Sequence, residues 1–235
     1  MLLAQRLRGF KRPVANISDP YWDDVHLLMD ASEGIVDLSP KATPVTAIAG
    51  EGGGIDNTQV KFGSSSFVPR FLLGSSFSFG NGPFTVEAWV YLKDTSDGTI
   101  LFTENNFYET SLFYFAIYQG RLAAIFMSGL NITDLYVDGT TTFPNHTWTF
   151  VTLQRDINQE IKIFLNGVSD ATPQSHSMDF IDESGESYSG IRYKNRLDKS
   201  YGEFDGYLDQ LRVTNAARYT SDFMPPNAPF PNTGP

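Results

Sequence analysis

The feature that most restricts the fold is a series of turn-forming pairs separated by runs of strand length. Asn81-Gly82, Asp97-Gly98, Gln119-Gly120, Asp138-Gly139, Asn166-Gly167, Ser184-Gly185 and Asp205-Gly206 punctuate the chain. Glycine after Asn or Asp reaches the left-handed backbone that tight hairpins require. The runs between them alternate. In PFTVEAWVYL, Phe84, Val86, Ala88, Val90 and Leu92 fall on one face, and Glu87, Trp89 and Tyr91 on the other. SLFYFAIYQGRLAAIF (111–126) reads as a hairpin about Gln119-Gly120, and WTFVTLQRD (148–156) with IKIFLNGV (161–168) as a second. No segment after residue 20 sustains a 3.6-residue period and no internal repeat is evident. The pattern predicts an all-β, two-sheet antiparallel sandwich or jelly roll.

The chain of 235 residues is long enough for one large β-domain with an ordinary core. It has no cysteine, so no disulfide framework, thiolate nucleophile or thiolate metal site. His26, His146 and His176 lack metal-ligand spacing. No apolar run approaches a membrane span.

Charge is unevenly spread. Residues 1–18 hold Arg6, Arg8, Lys11 and Arg12 and no acid, a local +4, so with an overall charge of −10 the remainder carries −14. An acidic body argues against nucleic acid or an anionic membrane as partner. The opening MLLAQRLRGFKRP does not suit a signal peptide, since Arg6 and Arg8 interrupt its apolar residues. Leu3, Leu7 and Phe10 recur at helical spacing among those cations, with Pro13 following. The segment reads either as a frayed terminus or as a docking arm using Leu3, Arg6, Leu7, Arg8, Phe10, Lys11 and Arg12 on an acidic partner. The proline-rich end, 226–235, reads as an extended strap. The polar stretch 179–203 reads as a loop with at most one short strand near 190–193.

Strict alternation raises one difficulty. It places Asp209 on the face of Tyr207, Leu211 and Val213, opposite Leu208, Gln210 and Arg212. A carboxylate aimed into an apolar layer must be hydrogen-bonded, paired or bound to a cation. Asp209 is therefore either a structural latch or part of a site.

Catalysis finds little support. A glycosidase needs two carboxylates about 5–10 Å apart across the sugar, and no strand offers acids at i and i+2 or i+4. The acids of 182–186 sit in a Gly/Ser stretch and read as a solvated charge run. No Ser-His-Asp arrangement or phosphate-cradling glycine motif is visible. The chain reads as a non-enzyme. Glu87 reads as a buried, hydrogen-bonded acid or as the floor of a groove, the former preferred.

Sugar binding needs exposed aromatic faces among amides and acids. Two stretches read as loops of that kind, 104–108 with Asn105, Phe107 and Tyr108, and 131–136 with Asn131, Asp134 and Tyr136; Tyr193 adds a third candidate among Arg192, Lys194 and Arg196.

Six phrases occur in order: DPYWDDVHLLMD (19–30), QVKFGSSSF (59–67), FTVEAWVYL (84–92), HTWTFVTLQRD (146–156), IFLNGV (163–168) and FDGYLDQLRVTNAARYTSDFMPPNAPFP (204–231). Together they resemble the concanavalin-A-like, laminin-G-like jelly-roll domain of tailed-bacteriophage structural proteins. The resemblance implies a domain over 19–231 after an arm over 1–18, with first and last strands side by side. It implies a virion protein displayed on a tail, baseplate or capsid, with other phage structural proteins as partners, and leaves a homo-oligomer open. A lectin-like adhesin for host surface polysaccharide is the alternative. No cofactor is required. The resemblance permits calcium shared by Asp209 and Asp30, or hydrogen bonds to Asp209 from backbone amides or Arg212. Gln210 stands where the family commonly has a second acid, which weakens calcium because affinity tracks ligand charge. The hydrogen-bonded reading is preferred.

Overall fold

The computed structural model describes residues 18–34, 36–48, 54–56, 59–62, 70–75, 77, 79–93, 98–104, 112–129, 132–177, 186–189 and 205–235. Within them there is no α-helix, only two 3-10 turns, Trp22–Asp24 and Ala31–Glu33. The strands are β1 (Val25–Met29), β2 (Thr46–Ile48), β3 (Gly54–Asp56), β4 (Gln59–Phe62), β5 (Arg70–Ser75), β6 (Phe84–Leu92), β7 (Gly98–Glu104) and β8 (Leu112–Tyr118). They continue with β9 (Arg121–Gly129), β10 (Ile132–Thr142), β11 (Thr149–Arg155), β12 (Glu160–Leu165), β13 (Val168–Ser169), β14 (Gln174–Ser175), β15 (Glu186–Ser189) and β16 (Gly206–Thr214).

Two antiparallel sheets form a sandwich. Sheet A runs β13-β12-β11-β6-β16-β4-β3, with β1 also on β16 and β14 on β12; sheet B runs β10-β9-β8-β7-β15-β5-β2. Both predicted hairpins are present. β8 and β9 turn at Gln119-Gly120, both at positive φ, with Tyr118 opposite Arg121. β11 and β12 pair from Arg155–Ile161 to Val151–Leu165. Asn166-Gly167 makes the next turn at φ 51 and 78. Asp138-Gly139 is not a turn: both lie inside β10, where Asp138 pairs with Ala123. The strand within 179–203 is β15, four residues before the expected place, inserted between β7 and β5.

The core lies between the sheets. Val86, Ala88 and Val90 of β6 and Val151 and Leu153 of β11 meet Phe115, Ile117, Leu122, Ala124 and Phe126 of sheet B, all buried. Each buried Val, Leu, Ile or Phe among them contributes on the order of 1.5–3 kcal/mol.

β16 joins the two ends of the described chain. One side pairs with β6; the other pairs with β4 over Gly206–Leu208 and with β1 over Leu211–Thr214. Between them the register against β6 slips: Asp209 lies opposite Trp89, yet Arg212 lies opposite Glu87. Three steps on β16 match two on β6, a bulge centred on Gln210 at φ 53. This corrects the simple alternation. Leu208, Leu211 and Val213 enter the core, while Asp209 and Arg212 leave the sheet on the outer side with Trp89 and Glu87.

Candidate functional site

The outer face of sheet A has a covered end and an uncovered end. The covered end holds four charged side chains. Glu87 is 0% exposed and Asp19 1%. Arg212 Nε donates to Glu87 Oε1 at 2.6 Å, its Nη2 also contacts that oxygen, and its Nη1 donates to Asp19 Oδ2 at 2.8 Å. Arg218 Nη1 and Nη2 donate to Asp19 Oδ1 and Oδ2 at 3.0 and 2.8 Å, a bidentate pair. Tyr219 Oη donates to Glu87 Oε2 at 2.6 Å. Burial alone pushes the Asp19 carboxyl up, yet bonds from Arg218 and the Tyr21 amide, with the charges of Arg212 and Arg218, hold it below the usual carboxylate range. Burial and the Glu87 charge push the Tyr219 phenol up, so it stays a donor. Glu87 is thus the hydrogen-bonded structural acid, not a groove floor.

Residues 215–235 form the strap over this face. Gln154 Oε1 accepts from the Arg218 and Tyr219 amides at 2.8 and 2.9 Å, and its Nε2 donates to the Tyr219 carbonyl at 2.7 Å. The Phe223 amide donates to the Gly167 carbonyl at 2.8 Å. A Cβ on Gly167 would overlap the Phe223 carbonyl, so glycine there serves both the turn and the strap. Phe230 packs with Trp89, Phe150, Val25 and Leu28, and the Arg212 guanidinium lies over its ring at 3.7 Å. The Phe230 amide donates to Gln210 Oε1 at 2.8 Å. The Asp19 amide donates to the Thr233 carbonyl at 2.9 Å, closing N-terminal segment onto C-terminal end.

Asp209 sits beneath this junction. Its Oδ1 accepts from the Gln210 amide at 2.8 Å and the Ala31 amide at 3.3 Å. Arg212 does not reach it, being engaged by Glu87 and Asp19. Burial, then the charge of Asp30, pushes the Asp209 carboxyl up to about 7. Asp30 caps the turn Ala31–Glu33, its Oδ1 accepting from the Ser32 amide at 2.9 Å and hydroxyl at 2.6 Å. The structure therefore brings the two predicted metal candidates together. Among the described residues, no group of three or more His, Cys, Asp or Glu could hold a metal ion.

At the uncovered end, three strand ends present aromatic rings. Tyr91 lies next beyond Trp89 on the outer face of β6, and Tyr207 pairs with it across the register on β16. Trp148 leads into β11. Ring centroids are 5.7 Å apart for Tyr91–Trp148, 5.7 Å for Tyr91–Tyr207 and 6.5 Å for Trp148–Tyr207. All three are half-buried. His146 stands exposed at 6.3 Å from Tyr91 in a turn at φ 55, its amide donating to the Leu92 carbonyl at 2.8 Å. On the opposite margin Lys93 Nζ lies 4.8 Å from the Tyr207 ring centre and 3.3 Å from Asp205 Oδ1. Chemically this is an apolar π-surface with one donor–acceptor pair at its rim.

Sequence reasoning missed this cluster. Its signal was the outward alternation Glu87, Trp89, Tyr91, read for its acid and not continued to Tyr207 and Trp148. Of the predicted sugar-contacting residues, Asn105, Phe107, Tyr108, Asn131 and Tyr193 lie outside the described residues, as do Leu3, Arg6, Leu7, Arg8, Phe10, Lys11 and Arg12 of the arm. Asp134 and Tyr136 are not in a loop but on β10, an edge strand of sheet B. Both are exposed, Tyr136 at 41%, edge-on to Tyr118 at 6.2 Å. The structure does not bring them to the Tyr91 cluster, which sits on the other sheet.

A family model described as the concanavalin A-like lectin/glucanases superfamily matches residues 64–222. No curated protein sequence matches the chain. Among solved structures, botulinum neurotoxin type C, whose cell entry depends on two ganglioside molecules, is similar at TM-score 0.62 and 12% identity over 85% of this chain and 49% of that one. Domain 4 of AbnA, an extracellular arabinanase from Geobacillus stearothermophilus in complex with arabinotriose, is similar at TM-score 0.58 and 17% identity over 83% and 94%. The binding domain of paraclostridial mosquitocidal protein 1 is similar at TM-score 0.59 and 13% identity over 85% and 50%. The chain spans about half the length of the toxin chains. At such identities the likeness is one of fold.

Proposed function

The chain belongs to the concanavalin A-like lectin/glucanase superfamily, and from that premise we propose that it is a carbohydrate-binding domain that holds sugar on the outer face of sheet A without hydrolysing it. The observation that carries this is the half-buried cluster of Tyr91, Trp148 and Tyr207 with Lys93 and Asp205 at its rim. Sugar C–H faces stack on aromatic rings while hydroxyls need a few placed polar groups, and this margin supplies both. The arabinanase domain with arabinotriose and the toxin that interacts with gangliosides share the fold and agree with the reading. Hydrolysis needs two carboxylates about 5–10 Å apart; Asp205 beside the rings is ion-paired to Lys93, and Glu87 is locked under the strap. A glycan array and a host-envelope pull-down, run with wild type and Trp148→Ala, test it. Retention of sugar by wild type and its loss in the variant is the expected result; no retention by either sinks the reading.

A second reading places this domain on a tailed-phage particle, as a displayed structural protein docked through residues 1–18. It is favoured by the ordered phrases of the sequence and by the basic arm ahead of an acidic body. The described chain begins beside its C-terminal end, where the Asp19 amide donates to the Thr233 carbonyl. Deleting residues 2–18 should leave a folded domain absent from purified particles. A truncated protein that still assembles removes the arm from the account.

A further inference from the structure

We propose that the Tyr91–Trp148–Tyr207 cluster grips the terminal residue of a neutral glycan end-on, and does not bind along the flank of a polysaccharide; this deepens, and rests on, the carbohydrate reading above. The rings are tilted to one another. Tyr91 and Trp148 meet at 52°, Tyr91 and Tyr207 at 59°, Trp148 and Tyr207 at 36°. A ribbon of sugars lying on a protein needs rings in a common plane along a line. Here three rings in mutual contact make a tilted seat for one sugar.

The face is also blind on one side. The next outward side chain along β6 is Trp89, 8% exposed. It is packed with Phe150 at 5.1 Å between centroids and belongs to the cluster that contains Phe230 of the strap. A chain of sugars seated on Tyr91 and running along the strand would meet Phe230 and the Arg212 guanidinium stacked on it. With that direction closed, the seat takes the end of a glycan and the rest of the chain leaves it outward.

Charge at the rim favours a neutral sugar. Lys93, the cation described at this rim, is already balanced by Asp205 at 3.3 Å, and the net charge of −10 repels a sugar carboxylate. The pair suits neighbouring hydroxyls, one accepting from the ammonium and one donating to the carboxylate.

The test is a titration of the full chain, followed by tryptophan fluorescence. The probes are methyl glycosides of neutral hexoses and N-acetylhexosamines, tetrasaccharides ending in the same sugars, the matching insoluble polymers, and methyl glycosides of a uronic and a sialic acid. A neutral methyl glycoside should bind with a Kd within about threefold of its tetrasaccharide, and Tyr207→Ala should weaken both by about tenfold or more. Lys93→Met, which leaves the rings in place, should weaken them in the same way and guards against a folding defect in the ring variant. Affinity rising more than about tenfold from mono- to tetrasaccharide, or binding to insoluble polymer alone, overturns the end-on proposal and leaves the carbohydrate reading standing. Tighter binding of an acidic glycoside overturns neutrality. Absence of binding to every sugar defeats both.

Discussion

The two ends of the outer face of sheet A share strands and alternation but were finished differently. At one end Glu87 and Arg212 are as buried as core residues; at the other, Tyr91 and Tyr207, two or more positions along the same strands, keep part of their rings in water. Polar groups lie under cover and apolar groups at the surface, the reverse of a simple burial rule. The covered end is tolerable because each charge has several partners: Arg212 bridges Glu87 and Asp19, and Arg218 grips Asp19 with two nitrogens. Such networks cost desolvation, and their value lies in fixing one arrangement of strap and sheet. At the other end the cross-strand pair Tyr91–Tyr207 contributes only about 0.2–1 kcal/mol. The first end fastens the strap to the sheet, and the second is the surface on which the proposed sugar binding rests.

Substitutions can break that contrast. Arg212→Met should have the largest effect, about 3–5 kcal/mol of unfolding free energy by urea denaturation, since it strands Glu87 and half of Asp19 as buried charges. A loss below about 1 kcal/mol would show that the strap is held by Phe230 and Phe223 packing instead. Sugar binding by the folded fraction should not change.

Asp209 carries the pH dependence. Its folded-state carboxyl is raised to about 7 from 3.8 by burial and then by Asp30. Proton binding therefore favours the folded state. The contribution is whole below about pH 4 and is lost as pH rises through about 7. Asp209→Asn, which keeps an acceptor for the Ala31 and Gln210 amides, should raise stability at pH 8 by at most about 4 kcal/mol, with the gain shrinking to nothing near pH 4. Thermal unfolding across that range measures it. A calcium-dependent rise in midpoint confined to wild type would make Asp30 and Asp209 a cation site.

Gln210→Ala should cost about 1–3 kcal/mol by leaving the buried Phe230 amide without its acceptor. Limited proteolysis should then cut within 215–235 before the sheets unfold; simultaneous loss of both would mean the strap and sandwich are one unit. The smallest effect belongs to Lys93→Met. Its partly exposed pair with Asp205 should contribute less than about 1 kcal/mol to stability, so any larger change seen in sugar affinity reports on binding alone.

Much of this was legible in the residues. The turn at Gln119-Gly120, both hairpins and the pairing of Val25–Met29 with the closing strand follow from local pattern and resemblance. Asp138-Gly139 misled, because a turn-forming pair does not turn where the flanking residues keep their cross-strand partners in β9. The 131–136 stretch misled likewise: its polar composition reads as loop, but an edge strand has one open side and accepts polar residues.

Period-two alternation is local, since each pleat reverses the side chain, so the chain itself determined its class, most of its strands and the outward position of Glu87, Trp89 and Tyr91. Only the tertiary structure decided where Asp209 and Arg212 point, through the bulge at Gln210, and which part of one face the strap would cover. Both depend on contacts between residues far apart in sequence. Arg212 and Asp19, 193 positions apart, share a hydrogen bond, and no window of the sequence contains the two.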